Sequence, residues 1–248
     1  MKSIMVFRET GNLGDLMQAV ALSRLIGPST AFFRDQPHLD FPEYGLKIVA
    51  GFMLGPTRMP PESSLFAGIF WHAIKENVEW LKRSPFPVGA RDPASHRSIV
   101  AYGVRSELVG CVSLTLPHYD GPRSGELSVD CSGPGVQMTH AVSKKLRFKD
   151  EWGLCIETLD QYKKAALVHT SRIHVAMPCI AMGTPVRYVG PTHEGRVSII
   201  REIGLVPGEV CLPDVTSWKE RYSDFLMKHA GVDAPRTAPV CPDVKEGA

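Results

Sequence analysis

The chain has 248 residues, 44% of them hydrophobic and 22% charged, with a formal net charge of +2. That length buries a sizeable core, as one large α/β domain or two small ones, and the composition is ordinary for a globular protein. The near-neutral balance excludes a general nucleic-acid or polyanion surface, so any anion recognition must be local, and no apolar run reaches the ~18 residues of a membrane span.

In chain order, Ile4 to Phe7 reads as a first buried strand. Arg8-Glu9 follow too soon for a secretory signal, so a cytoplasmic protein is expected. Gly11-Asn12-Leu13-Gly14-Asp15 then leads into a helix from about Leu16 to Ile26, with Asp15 as the expected N-cap. Gly11 and Gly14 permit a turn that Cβ atoms obstruct, and they let backbone amides approach a ligand. The spacing is not G-x-G-x-x-G, so no nicotinamide dinucleotide site is expected. On spacing alone, the loop serves equally well as a tight strand-to-helix turn.

Prolines at 28, 37, 42, 56, 60 and 61 break the next stretch and leave Leu46 to Phe52 as its one clear strand. His38, Asp40 and Arg58 read as solvated loop residues. Leu65 to Lys82 reads as a helix burying Phe66, Ile69, Phe70, Ala73, Val78 and Leu81, with Trp71, His72 and Trp80 at its edges. Pro87 to Ala90 is a short strand that ends in Arg91-Asp92-Pro93, and Ser95 is the expected cap of a helix running to about Tyr102. Ligands of open α/β sheets bind beyond the carboxyl ends of the strands, which is where chain order puts Arg91. An ion pair with a neighbouring helix is the other reading of that arginine.

Glu107 to Leu116 reads as one or two buried strands, and Pro117 to Pro122 as a linker. The expected units are therefore residues 1–118, residues 119–232 and a mobile tail at 233–248, rich in proline and small residues. The second unit restarts with a strand at Glu126 to Asp130 and a helix at Val136 to Leu146. A short strand near Arg147 or Phe148, an apolar turn at Leu154-Cys155 and a helix at Leu159 to Ala165 follow. Leu167-Val168 ends a buried strand, Val175 to Met182 is a helical body stopped by Gly183-Thr184-Pro185, and Val186 to Val189 is the next strand. Helices at Val197 to Ile203 and Trp218 to His229 complete the chain. Alternating strands and helices argue for parallel sheets. The six cysteines have no metal-ligand spacing and read as reduced, with Cys111 and Cys179 as small hydrophobes inside apolar runs.

The anomaly lies at Arg172 and His174, which a packed helix start does not need. Residues two apart do not share a helix face, so both address one ligand only if it sits end-on at the helix N-terminus. There the unpaired amides and the positive dipole end favour an anion. Thr170 and Ser171 supply hydroxyls suited to that helix start.

The run from Leu159 to Val189, with its core Thr170-Ser171-Arg172-Ile173-His174 followed by Ala181-Met182-Gly183-Thr184-Pro185-Val186, resembles the polysaccharide pyruvyl transferase family. Gly11 to Asp15, Ala90-Arg91-Asp92 with Ser95, and Gly110 to Leu116 are similar to the family's upstream blocks, in the family's order. The resemblance implies two small Rossmann-like α/β halves facing a GT-B-like cleft, the first on the acceptor side and the second on the donor side. It implies transfer of pyruvate, as a ketal, from phosphoenolpyruvate to hydroxyls of a sugar or glycan in polysaccharide or exopolysaccharide biosynthesis, with release of phosphate. Carried over residue by residue, it makes Arg91, Arg172, Ile173 and Ser171 donor-binding, with Ile173 where the family more often has leucine. It makes His174 the general acid and Gly11, Asn12, Gly14 and Asp15 an acceptor or cleft loop. No metal or cofactor is called for.

The chemistry suits those residue types. Phosphoenolpyruvate carries a carboxylate and a phosphate, for which arginine forks and helix amides are apt receptors, and a histidine beside anions is suited to hold a proton. Two other readings fit the same residues. One is a GT-B glycosyltransferase using a nucleotide sugar, for which Glu194 and Glu202 are the nearby candidates to hold a ribose. The other is a non-catalytic protein for an anionic sugar or phosphate, which needs the arginines but not His174.

Overall fold

The computed structural model describes residues 2–6, 11–33, 45–52, 63–70, 75–191, 195–232 and 238–243, with the side chains of 52, 75–77 and 196 left aside. Arg8, His38, Asp40, Arg58, Trp71, His72 and Glu194 lie outside the described residues.

Six strands build the first sheet: β1 (Lys2–Val6), β2 (Thr30–Phe33), β3 (Leu46–Phe52), β4 (Leu65–Phe70), β5 (Val88–Ala90) and β6 (Ser106–Leu108). Their order is β2-β1-β3-β4-β5-β6, and every pairing is parallel. The sheet is accompanied by α1 (Leu13–Ile26), α2 (Lys75–Lys82) and α3 (Pro93–Ala101). The single helix expected over 65–82 is thus a strand and a shorter helix. All six residues of β4 are buried, and a short apolar run inside a parallel sheet carries no alternation to mark it.

Helix α1 begins three residues earlier than the sequence suggested. Its N-cap is Asn12, whose Oδ1 accepts from the Gly14 amide at 3.0 Å, and Asp15 sits inside the first turn instead of capping it. Every residue of α1 except Asp15 is buried, as befits a helix enclosed on all sides. In α3 the cap is Asp92, accepting from the Ser95 amide at 2.8 Å, not Ser95. Past β6 the expected strand gives way to a buried 3-10 turn at Val112–Thr115. The chain bends at Gly110, with φ of 91°. A Cβ there would lie 2.7 Å from the Trp218 ring, so glycine suits that position on both counts.

The second sheet contains β7 (Glu126–Val129), β8 (Val136–Met138), β9 (Leu167–Thr170), β10 (Val186–Tyr188) and β11 (Val210–Cys211), in the order β11-β10-β9-β7-β8. Only the β10–β11 pair is antiparallel. The helices of this half of the chain are α4 (Phe148–Lys164), α5 (Ile173–Ala181), the short α6 (Ile199–Glu202) and α7 (Thr216–Ala230), of which α7 packs elsewhere. The helix expected at 136–146 is replaced by β8 and a loop, because Gly135 (φ 82°) doubles the chain back onto β7, where a Cβ would overlap the Glu126 carbonyl. The strand expected near 147 and the turn at 154–155 both fall within α4 or at its N-cap.

Both sheets wind the same way. In each, the second strand lies on one side of the first and the third on the other, which places a switch point beside β1 and another beside β7. The crevice beyond the strand ends at a switch point is where open α/β sheets bind ligands.

The two sheets divide at the stretch 117–125, but one apolar core runs on through α1 into residues of α4 and α5, including Phe148, Tyr162 and Met177. Helix α7 returns to the first sheet, where Tyr222 donates to the Ala67 carbonyl at 3.1 Å and Lys228 and His229 meet Glu107. Within the stretch expected to be a mobile tail, Asp243 pairs with the β2 edge: its carbonyl accepts from the Ala31 amide and its amide donates to Ser29, both at 2.9 Å. Among the described residues, no helix is long and apolar enough to cross a membrane.

Candidate functional site

The helix starts that follow the two switch points meet. A pocket of about 280 Å³ lies between the first turns of α1 and α5, walled by Asn12, Asp15, His140, Ser171, Arg172 and His174 among others. Ile173 also lines it. Most of the site residues expected from the sequence are therefore in one place. Asp15, the one residue of α1 that is not buried, faces this pocket.

Gly14 sets how near the helices come. A Cβ built on it would stand 2.9 Å from the His174 Cβ and 3.1 Å from His140 Nδ1. Gly11, with φ of 63°, shapes the approach without lining the pocket, and its carbonyl accepts from the Val142 amide at 2.9 Å. Leu13 donates its amide to the His140 carbonyl at 3.0 Å, so the glycine loop is tied to the second half of the chain.

At the start of α5, Thr170 Oγ1 accepts from the Arg172 amide at 3.0 Å, and Ser171 Oγ donates to the Asp130 carbonyl at 2.9 Å. The N-cap is Arg172 itself, in extended conformation and without a side-chain cap bond, so the hydroxyls hold the turn and do not cap the helix.

Sequence reasoning missed Asp130 and His140. Asp130 follows β7 at its switch point with φ of 52°, a left-handed conformation that aspartate tolerates better than most residues. Its Oδ2 accepts from Arg172 Nε at 3.1 Å and from the His140 amide at 3.3 Å, while Oδ1 accepts from Thr139 Oγ1 at 2.8 Å. It thereby fixes both walls of the pocket. The available signal was an aspartate at the end of a switch-point strand, but the strand order had to be known first. Arg172, with a side chain 53% exposed, uses only Nε for that contact, so its two Nη nitrogens remain for a ligand.

His140 is 1% exposed, and its Nε2 stands 2.6 Å from the Tyr162 hydroxyl. Burial pushes its pKa down to about 4, with Asp130 opposing and Arg172 adding to the shift, so the imidazole is neutral at pH 7. Burial also pushes Tyr162 up, which keeps the phenol protonated.

Arg91 lies apart from this wall. It is 1% exposed, with Nε 3.7 Å from Asp92 Oδ2 and its guanidinium carbon 4.9 Å from the centre of the Phe70 ring. Chain order does put it at the carboxyl end of β5, but the side chain runs into the core and pairs with its own neighbour.

The cysteines form no disulfide, and burial pushes the Cys111, Cys155 and Cys179 thiols up, which suits packing and not nucleophilic attack. Among the described residues no group of three or more His, Cys, Asp or Glu side chains is placed to hold a metal ion.

No protein-family model matches the chain, and no curated protein matches its sequence. Among solved structures it is similar to an uncharacterized protein from Klebsiella pneumoniae, with a TM-score of 0.52 at 12% identity, covering 81% of this chain and 88% of that one. A likeness at that identity shows a shared Rossmann-like α/β fold and nothing about activity.

Proposed function

We propose that the chain is a ketal-forming pyruvyltransferase, moving pyruvate from phosphoenolpyruvate to two hydroxyls of a sugar or glycan and releasing phosphate. The observation that carries this reading is one pocket at which the uncapped N-terminus of α5, the Arg172 fork and a buried neutral imidazole converge, with the capped start of α1 and its Asp15 as the facing wall. We read that pocket as part of a GT-B-like cleft between donor and acceptor halves, in a cytoplasmic protein that draws on a cytoplasmic metabolite.

Arg172 binds the donor carboxylate or phosphate through its Nη nitrogens, and the first-turn amides of α5 take the other anionic group. These amides fill the part that the family resemblance gives to Arg91. His174 delivers a proton to the terminal carbon of the enol while a sugar hydroxyl attacks the central carbon and gives up its own proton, for which Asp15 is the base on the facing helix. A second hydroxyl then attacks the same carbon, the carbon–oxygen bond to phosphate breaks, and phosphate departs with the remaining proton. Two hydroxyl protons are consumed, one ending on the new methyl group and one on phosphate.

Binding is tested by thermal shift against phosphoenolpyruvate, UDP and GDP. Phosphoenolpyruvate is expected to raise the melting temperature progressively once it exceeds its dissociation constant. Arg172→Lys is expected to weaken that binding by roughly tenfold or more, since a fork is replaced by a point charge. Stabilisation by UDP or GDP but not by phosphoenolpyruvate would favour a glycosyltransferase and sink the pyruvyl donor.

A further inference from the structure

We infer that His140 is a charge-neutral hydrogen-bond donor to the pocket's occupant, with its proton fixed on Nδ1 by Tyr162; that the occupant is an anion rests on the donor reading above.

The tautomer follows from the buried phenol. Tyr162 is fully buried, and among the described residues its hydroxyl has one partner, His140 Nε2 at 2.6 Å. Were the imidazole proton on Nε2, it would donate to the phenol oxygen and leave the phenol O–H with no acceptor, an arrangement that burial makes costly. With Nε2 accepting, the phenol is satisfied and the imidazole proton must sit on Nδ1.

The donor also has a direction. His140 lines the pocket, and Nδ1 lies 3.1 Å from the point a Gly14 Cβ would occupy, so the missing side chain at position 14 leaves that ring edge uncovered. The ring cannot easily withdraw. Its backbone amide donates to Asp130 Oδ2 at 3.3 Å, its carbonyl accepts from Leu13 at 3.0 Å, and its face stacks on Tyr162 with centroids 5.9 Å apart.

The consequence is a division of labour between two histidines on one pocket. His140 holds its Nδ1 proton throughout and offers a fixed dipole to negative charge, as preorganised donors do. His174 is left as the group that exchanges protons with the reactants.

The first test is the ¹⁵N spectrum of histidine-labelled protein at pH 7, assigned by difference from His140→Ala. A neutral Nδ1–H imidazole is expected, with the proton distribution moving toward Nε2 in Tyr162→Phe. A doubly protonated ring, or a proton on Nε2 in the wild type, overturns the proposal. The second test compares phosphoenolpyruvate affinity in His140→Ala and His140→Asn. Asparagine's amide stands near the Nδ1 position, and both variants leave Tyr162 equally unpaired, so the contrast isolates the donor. Alanine is expected to weaken binding about tenfold and asparagine by less than about threefold. Wild-type binding that alanine leaves unchanged overturns this proposal and leaves the donor site standing. A wild type that binds neither phosphoenolpyruvate nor inorganic phosphate removes the donor site and, with it, the ligand for His140.

Discussion

His174→Gln is expected to keep the fold and most of the affinity for phosphoenolpyruvate while losing turnover by roughly 10²–10⁴-fold, the range for a removed acid–base group. The fold is expected to survive because the His174 Cβ, which abuts Gly14 at the helix junction, is retained in glutamine, and the glutamine amide can take up a hydrogen bond in place of the ring. What is lost is a transferable proton. A packing role makes the opposite forecast, with Gln nearly harmless and Ala damaging to stability and binding together. The discriminating pair of measurements is phosphate release with a panel of sugars and calorimetric titration with phosphoenolpyruvate. Glutamine protein that turns over normally would end the acid role.

Gly14→Val is expected to be the most damaging single change to the architecture of the site. Replacing a helical glycine usually helps a helix by up to ~1 kcal/mol. Here the added Cβ would stand 2.9 Å from the His174 Cβ, which is fixed to the α5 backbone and cannot swing away. Forcing extra atoms into packed contacts costs about 1–3 kcal/mol, and the branched side chain meets His140 as well. The clash therefore outweighs the helix gain. We expect net destabilisation of about 2 kcal/mol in urea unfolding. Phosphoenolpyruvate binding should weaken well beyond what the stability change explains, because α1 and α5 must part. A valine variant of wild-type stability and affinity would mean that the two helix starts do not approach as described.

The parts of the site that could be read from the chain were the local ones. Leu167 to His174 announces a strand end, a turn and a helix start; β9 ends two residues later than expected, and α5 and β10 fall within two residues of their expected bounds. The Asp130–Arg172 contact spans 42 residues and exists only because β7 and β9 pair side by side. No local pattern encodes it. The start of α1 was misplaced for a related reason. Asn12 and Asp15 are both good caps, and the choice is made by a tertiary bond from the Leu13 amide to the His140 carbonyl. Arg91 illustrates a third kind of gap: its place at a strand end was legible, while its turn inward toward Phe70 and Asp92 was not. β4 was lost because six apolar residues carry neither a helical nor an alternating period.

The central claim is a reaction, and its most direct test is product analysis. The protein is incubated with phosphoenolpyruvate and a panel of free, nucleotide-linked and lipid-linked sugars, with phosphate followed in solution and the sugar examined by NMR for a new ketal methyl group. The account predicts phosphate and pyruvylated sugar in equal amounts from the wild type and almost none from His174→Gln. Transfer of a glycosyl group from the nucleotide-linked sugars, with phosphoenolpyruvate left intact, would contradict it.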